Sequence, residues 1–229
     1  MRGVFHCFVM LVLCVAMTGC FNNEAEERAA FIVWLQTQVV DTPDTRVPVL
    51  DDKQREAVGD YAEQYAELVA IDEAIQAQRR HLANAFEHEQ LTSLAQLRSR
   101  HGALRADQQA LIDGQRAVHQ ALEHLQTQRV KWEQPADLQA VYTQACVKIA
   151  TRPVVELDAV TTTVLRVLQD TLRVADFIDQ HADQITVEAD SAAALDPSVQ
   201  QALNQLLDTL NQHETTLARA YRRFQEQPE

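Results

Sequence analysis

Cys20, the last residue of Met17-Thr18-Gly19-Cys20, has the plainest chemistry in the chain. A short basic start at Arg2 and an apolar run of about 14 residues from Val4 precede it, the layout of a secretory signal with a small-residue exit. In that setting the four residues look like a lipobox: the cysteine sulfur takes a diacylglyceryl group and the chain is cut before Cys20. The run is too short to remain as a spanning anchor, which needs about 20 apolar residues. Residues 1–19 are therefore expected to leave as a lipoprotein signal peptide. Cys20 would keep the acyl chains, palmitate among them, and two or more such chains anchor stably where one is marginal. Met17 stands where leucine is usual, and the competing reading is an ordinary signal peptide that happens to contain a cysteine. Phe21 rather than aspartate follows the cysteine, which implies the outer membrane, facing the periplasm.

The other reactive residue types form no known constellation. Cys7 and Cys14 lie in the signal, so Cys146 is the one thiol left for an oxidising compartment. It sits in Ala145-Cys146-Val147-Lys148-Ile149, where a buried small hydrophobe is the expected role. His81 and His88 share a helix face but lack a third ligand. His119 and His124, five apart, diverge. No His-Glu-x-x-His occurs, and no glutamate stands three residues before a histidine, so neither a metal nor another cofactor is expected. A Gly-x-Ser-x-Gly elbow is missing, and Thr161-Thr162-Thr163 reads as helix surface. Carboxylates are plentiful, yet none stands out as a pair in an apolar pocket. This reading expects no enzyme.

Charge narrows the partners. The formal net charge is −13, and loss of Arg2 makes the mature chain one unit more negative. So acidic a body suits neither nucleic-acid phosphates nor broad docking on anionic headgroups.

The elements that would carry these residues are helices. Asn23 with Glu26 reads as a capping box opening a helix through Phe31, Trp34, Leu35 and Val39. Phe31 and Trp34 are expected to form a core stripe rather than touch lipid. A loop with Pro43 and Pro48 leads to Asp51 and Gln54, which start a long helix. In it Tyr61, Leu68, Ile75 and Leu82 recur every seven residues, beside a seam of Val58, Tyr65 and Phe86 broken by Asp72 and Arg79. After a weak hinge near Glu87 to Ser93, Leu97, Leu104, Leu111, Val118, Leu125 and Trp132 keep strict heptad spacing. Their companion seam, Leu94, His101, Gln108, Gln115, Leu122 and Arg129, is polar in the middle. That stretch can fix register, face water or face another protein. Pro135 and Pro153 open two further helices. Gln184 to Asp190 is briefly extended, and Asp196-Pro197 starts the last helix, which ends in Arg219, Arg222 and Arg223 as a solvated terminus.

The expected fold is all-α: an elongated helical bundle containing a long antiparallel, coiled-coil-like hairpin. Residues 1–19 are the signal, 20–50 the lipidated start with its first helix and proline loop, 51–133 the hairpin, and 134–229 the C-terminal helices. The hairpin is expected to pack on itself, with self-association as the alternative.

At the mature start the residues take on a family look. Cys20-Phe21, Arg28, Ala30-Phe31-Ile32, Leu35-Gln36, Arg46-x-Pro48-x-Leu50, Gln54, Gly59 and Tyr65 resemble the YiaF-like family of enterobacterial lipoproteins. The likeness continues more thinly around Lys148, Pro153, Ile178 and Gln184-x-x-Val187, while Gln76 to Gln134 departs in sequence and keeps helical character. The resemblance implies an outer-membrane-type lipoprotein and carries no catalytic residues with it. The expected function is a non-catalytic envelope interaction or scaffold protein, held to the membrane through Cys20 and meeting a periplasmic or envelope protein. The alternatives are a binding module for an apolar ligand such as a lipid, and, less favoured, a hydrolase.

Overall fold

After Cys20 only Gly59, Gly102 and Gly114 remain as glycines, and the long stretches they leave uninterrupted form helices. A computed structural model describes residues 23–43, 46–88, 94–188 and 191–226; the lipobox and Cys20 lie outside them. The order is α1 (residues 23–35), α2 (Asp52–Val58), α3 (Tyr61–His88), α4 (Leu94–Ser99), α5 (His101–Lys131), α6 (Ala136–Cys146), α7 (Arg152–Gln180), β1 (Ile185–Glu188), β2 (Ser191–Ala194), α8 (Pro197–Asn211) and α9 (Glu214–Glu226). The fold is all-α apart from the antiparallel pair β1–β2. Most of the expected hinge, residues 89–93, lies outside the described residues.

Local chemistry accounts for most boundaries. Asp51 and Gln54 form a complete capping box at α2. Asp196 caps α8 through the Ser198 and Val199 amides, and the Ser198 bonds hold its carboxyl below the usual range. Several expectations need correction: the helix opened at Asp51 breaks at Gly59 into α2 and α3, the heptad helix breaks at Arg100 into α4 and α5, and the last helix divides into α8 and α9. Asn23 is already helical, so its amide reaches one turn along α1 to Glu27 Oε1 at 2.8 Å rather than capping the helix. Pro153 does not open a separate helix: α6 passes through a π-helical turn, Val147–Thr151, straight into α7. Proline has no amide to donate and its ring crowds the carbonyl four residues back. A widened turn relieves both problems without breaking the path. A second π turn, Gln36–Val40, ends α1.

The described chain forms two compact units. One holds the chain up to Asp72 with Leu125–Thr151; the other holds Glu73–His124 with Arg152–Glu229. In the first, Phe31, Leu35 and Val39 of the α1 face are fully buried. Phe31 stacks on Tyr61 at 5.4 Å and meets Tyr65 and Tyr142 at 6.3 Å, so the core-stripe reading holds for it. Trp34 is half-buried, edge-on to Tyr65. Asp72, which interrupts the apolar seam of α3, is buried; it accepts the Val47 amide at 3.2 Å and faces Arg46 at 3.5 Å. The Tyr65 hydroxyl donates to the Pro48 carbonyl at 2.6 Å. The seam break is thus the clasp for the proline loop.

In the second unit Leu97, Leu104, Leu111 and Val118 are buried, as the heptads predict, and Leu125 is buried in the first. The α3 and α5 helices run antiparallel: Gln78 meets Leu111 in the second unit, and Gln64 meets Gln134, just beyond α5, in the first. Within the second unit, two members of the polar companion seam meet α7. His101 lies between Asp176 (2.8 Å) and Asp179 (3.1 Å), and Gln115 donates to Asp158 at 3.0 Å. Thr161, expected on the surface, is buried and receives the Gln78 amide at 3.1 Å, because it faces the α3–α5 crossing. Helices α8 and α9 cover α7, and Tyr221 and Phe224 close over Phe86. Arg219, Arg222 and Arg223 are exposed.

Candidate functional site

The first unit carries an open cleft of about 690 Å³, within the range of small-ligand sites. Three separate segments make it. The first turn of α1 brings Asn23, Glu24 and Glu27; the α2–α3 corner brings Asp60, Tyr61 and Gln64; the α5–α6 connection brings residues 131–135. The corner depends on Gly59, whose φ of +53° ends α2 in a conformation other residues rarely adopt. A β-carbon there would also overlap the Glu27 carboxylate, so the glycine lets α1 lie close.

Hydrogen bonds fix the walls. The Tyr61 hydroxyl donates to Glu24 at 2.6 Å, and Arg28 links Glu24 (3.8 Å) to Asp137 (3.6 Å). Gln134 donates to the Gln64 side chain at 2.6 Å, and the Tyr142 hydroxyl to the Gln64 carbonyl at 2.7 Å. Trp132 stands edge-on to Tyr142, 5.6 Å between centroids. Burial, and then the Glu24 carboxylate, push the Tyr61 phenol up to about 12. It therefore stays protonated and keeps its proton for the bond to Glu24. The side-chain carboxylates of Asp60 and Glu133 have no hydrogen-bond or ion-pair partner among the described residues, and Lys131 is the cation among the lining side chains, with Arg28 paired to Glu24. These walls hold no nucleophile beside a base. They can bind, and the charge favours a cation.

The residues singled out in the sequence lie elsewhere. His119 is exposed against Asp158 at 2.8 Å, His124 is exposed, His81 is half-buried beside Gly114, and the side chain of His88 lies outside the described residues. His213, which the sequence does not single out, meets Asp170 at 2.8 Å, with Arg173 on the same carboxylate at 2.7 Å. Histidine and aspartate in these pairs stand 39 to 78 residues apart, so no local spacing announces them. Among the described residues no group of three or more His, Cys, Asp or Glu is placed to hold a metal ion.

Cys146 is buried at 2 % exposure, and burial pushes its thiol up to about 11 against the opposing pull of Arg129. The folded protein is expected to leave this thiol untouched by a water-soluble disulfide reagent at neutral pH and to expose it in denaturant. Labelling at the same rate in both conditions would contradict the buried placement.

Residues 8–225 match the family described as "Protein of unknown function (DUF3053)". The chain is 27 % identical over 204 residues to "Uncharacterized protein YiaF" of Escherichia coli K12, covering 84 % of this chain and 81 % of that one. The Shigella flexneri protein of the same title matches equally. No solved structure matches at a significant level. The long match to the family, spanning both compact units, makes this chain a member of the DUF3053 family.

Proposed function

We propose that the protein is a lipoprotein held by acyl chains on Cys20, at the outer membrane and facing the periplasm, and that its helical body is a non-catalytic interaction or scaffold element for an envelope protein. The observation that carries this reading is the closeness of lipobox and folded body. Asn23 is already in α1, three residues after Cys20. Three residues of chain reach at most about 10 Å. A body joined so tightly is held at the bilayer surface, which suits a protein that keeps a partner there. With His101 and Gln115 turned to α7, Ile112 in the second unit and Val130 in the first stay exposed for such a partner. The carboxylates of the cleft weigh against an apolar ligand at that place.

Replacing Cys20 by serine is expected to release the protein from the membrane fraction and to remove the acyl mass from the chain. A Cys20→Ser protein that stays membrane-bound would defeat the anchoring. For the body, photo-crosslinkers at Ile112 and Val130 in living cells are expected to trap one dominant envelope protein. Self-links alone, or none, would overturn the scaffold reading.

A further inference from the structure

We infer that the cleft between α1, the α2–α3 corner and the α5–α6 connection is a binding site for a ligand carrying an ammonium group. The cavity is large enough for a small organic molecule and is held by three segments whose own hydrogen bonds keep it open. Glu24, Glu27, Asp60 and Glu133 line it; the cations set against them are Lys131 on the wall and Arg28, which pairs with Glu24 and leaves Asp60 and Glu133 unmatched. The engaged carboxylates have tasks: Glu24 accepts from Tyr61 and Glu27 from Asn23. Asp60 and Glu133, on opposite segments, have none among the described residues, and Lys131 bonds to Gln128 at 3.4 Å rather than neutralising either. Tyr61 and Trp132 add two aromatic rings to the same walls, and aromatic π-systems attract ammonium as well as apolar groups. Carboxylate and ring together separate an ammonium from a metal ion, which would need converging oxygen ligands, and from a neutral sugar, which gains nothing from the charge.

Two sources share this chemistry: the ethanolamine headgroup of a phospholipid and a free polyamine. The position of α1 within about 10 Å of Cys20 brings the headgroup into reach if the anchor is present. Recognition itself does not depend on the anchor.

The test is titration calorimetry on the full chain in detergent, with glycerophosphoethanolamine, spermidine and glycerol as probes. Saturable binding of one or both amines, with none for glycerol, is expected. The first amine alone identifies the headgroup source and spermidine alone the free-amine source. The double variant Asp60→Asn/Glu133→Gln is expected to weaken binding about tenfold, equivalent to about 1.4 kcal/mol. Its thermal melt, recorded in parallel, should match the parent, because both side chains are exposed. No saturation by either amine up to about 10 mM overturns the inference, as does unchanged affinity in the double variant or equal binding of glycerol. Should the double variant unfold, Trp132→Phe against Trp132→Leu supplies the comparison: the ring-preserving change keeps amine binding and the other loses it. These outcomes are independent of whether Cys20→Ser leaves the membrane.

Discussion

Replacing Gly114 by alanine is expected to destabilise the protein by about 2–4 kcal/mol, opposite in sign to what helix propensity alone gives. Gly114 lies in the middle of α5, where alanine is normally better than glycine by about 1 kcal/mol. The surroundings reverse that preference. An ideal β-carbon at 114 would overlap Gln78 Oε1 and come within 3.0 Å of His81 Cδ2. Gln78 is 1 % exposed and cannot move into water without breaking its bonds. Its amide donates to the Leu111 carbonyl at 3.2 Å and to Thr161 Oγ1 at 3.1 Å, tying α3, α5 and α7 at one level. Moving it forfeits two hydrogen bonds of about 1 kcal/mol each and leaves a buried amide unpaired, at about 1–3 kcal/mol more. The loss exceeds the propensity gain. Denaturant midpoints at constant slope measure it. The double variant Gly114→Ala/Gln78→Ala should recover part of the loss, with a coupling of at least about 1 kcal/mol. A Gly114→Ala protein as stable as the parent would mean that α3 and α5 do not approach as closely as Gln78 and Gly114 indicate.

That crossing shows how far a sequence reaches and where it stops. The leucine stripe of α4 and α5 was legible because it repeats at heptad spacing, and Leu97, Leu104, Leu111 and Leu125 are buried. Caps at Asp51 and Asp196 were legible because their chemistry is complete within a few residues. The polar members of the neighbouring seam were visible as exceptions, but their purpose was not. His101 finds Asp179 across 78 residues and Gln115 finds Asp158 across 43, and no periodicity connects them. Thr161 was misplaced for the same reason: a hydroxyl in a polar triplet reads as surface until Gln78 arrives from 83 residues away. The cleft is the extreme case. Glu24, Asp60 and Glu133 belong to three segments, each of which reads as an ordinary acidic helix start or connection. Carboxylates at helix starts are favoured by the dipole wherever the helices point; only the fold turns three such segments towards one cavity.

Lys148→Met should cost about 2–4 kcal/mol, although lysine at a half-buried helical position is ordinarily replaceable at little cost. The first helix ends in a π turn closed by the Asp41 amide on the Gln36 carbonyl, and the carbonyls after Gln36 lie past that last helical bond. They also form the negative end of the helix dipole. The Lys148 ammonium, from the π turn that joins α6 to α7, donates to Val39 O at 2.7 Å, to Val40 O at 3.2 Å and to Thr42 O. One cation therefore satisfies three acceptors, with both charge and donor count suited to the task. Methionine fills similar space but donates nothing, so carbonyls that cannot all reach water lose their partner. The charge-keeping Lys148→Arg is expected to retain part of the stability, since a planar fork cannot converge three donors on one helix end as an ammonium does. Hydrogen exchange adds a local readout: amides near Val39–Asp41 should open faster in Lys148→Met, while those of α8 and α9 keep their protection. A Met variant within about 0.5 kcal/mol of the parent, with unchanged exchange at these amides, would show that the end of α1 is secured by something other than this cation. Gly59, Tyr65 and Arg46 belong to the same unit as Lys148. Each fixes a turn or a helix end of the first unit: Gly59 through its positive φ, Tyr65 and Arg46 through the proline loop, and Lys148 through the last carbonyls of α1. The unit held in this way is the one that carries the cleft.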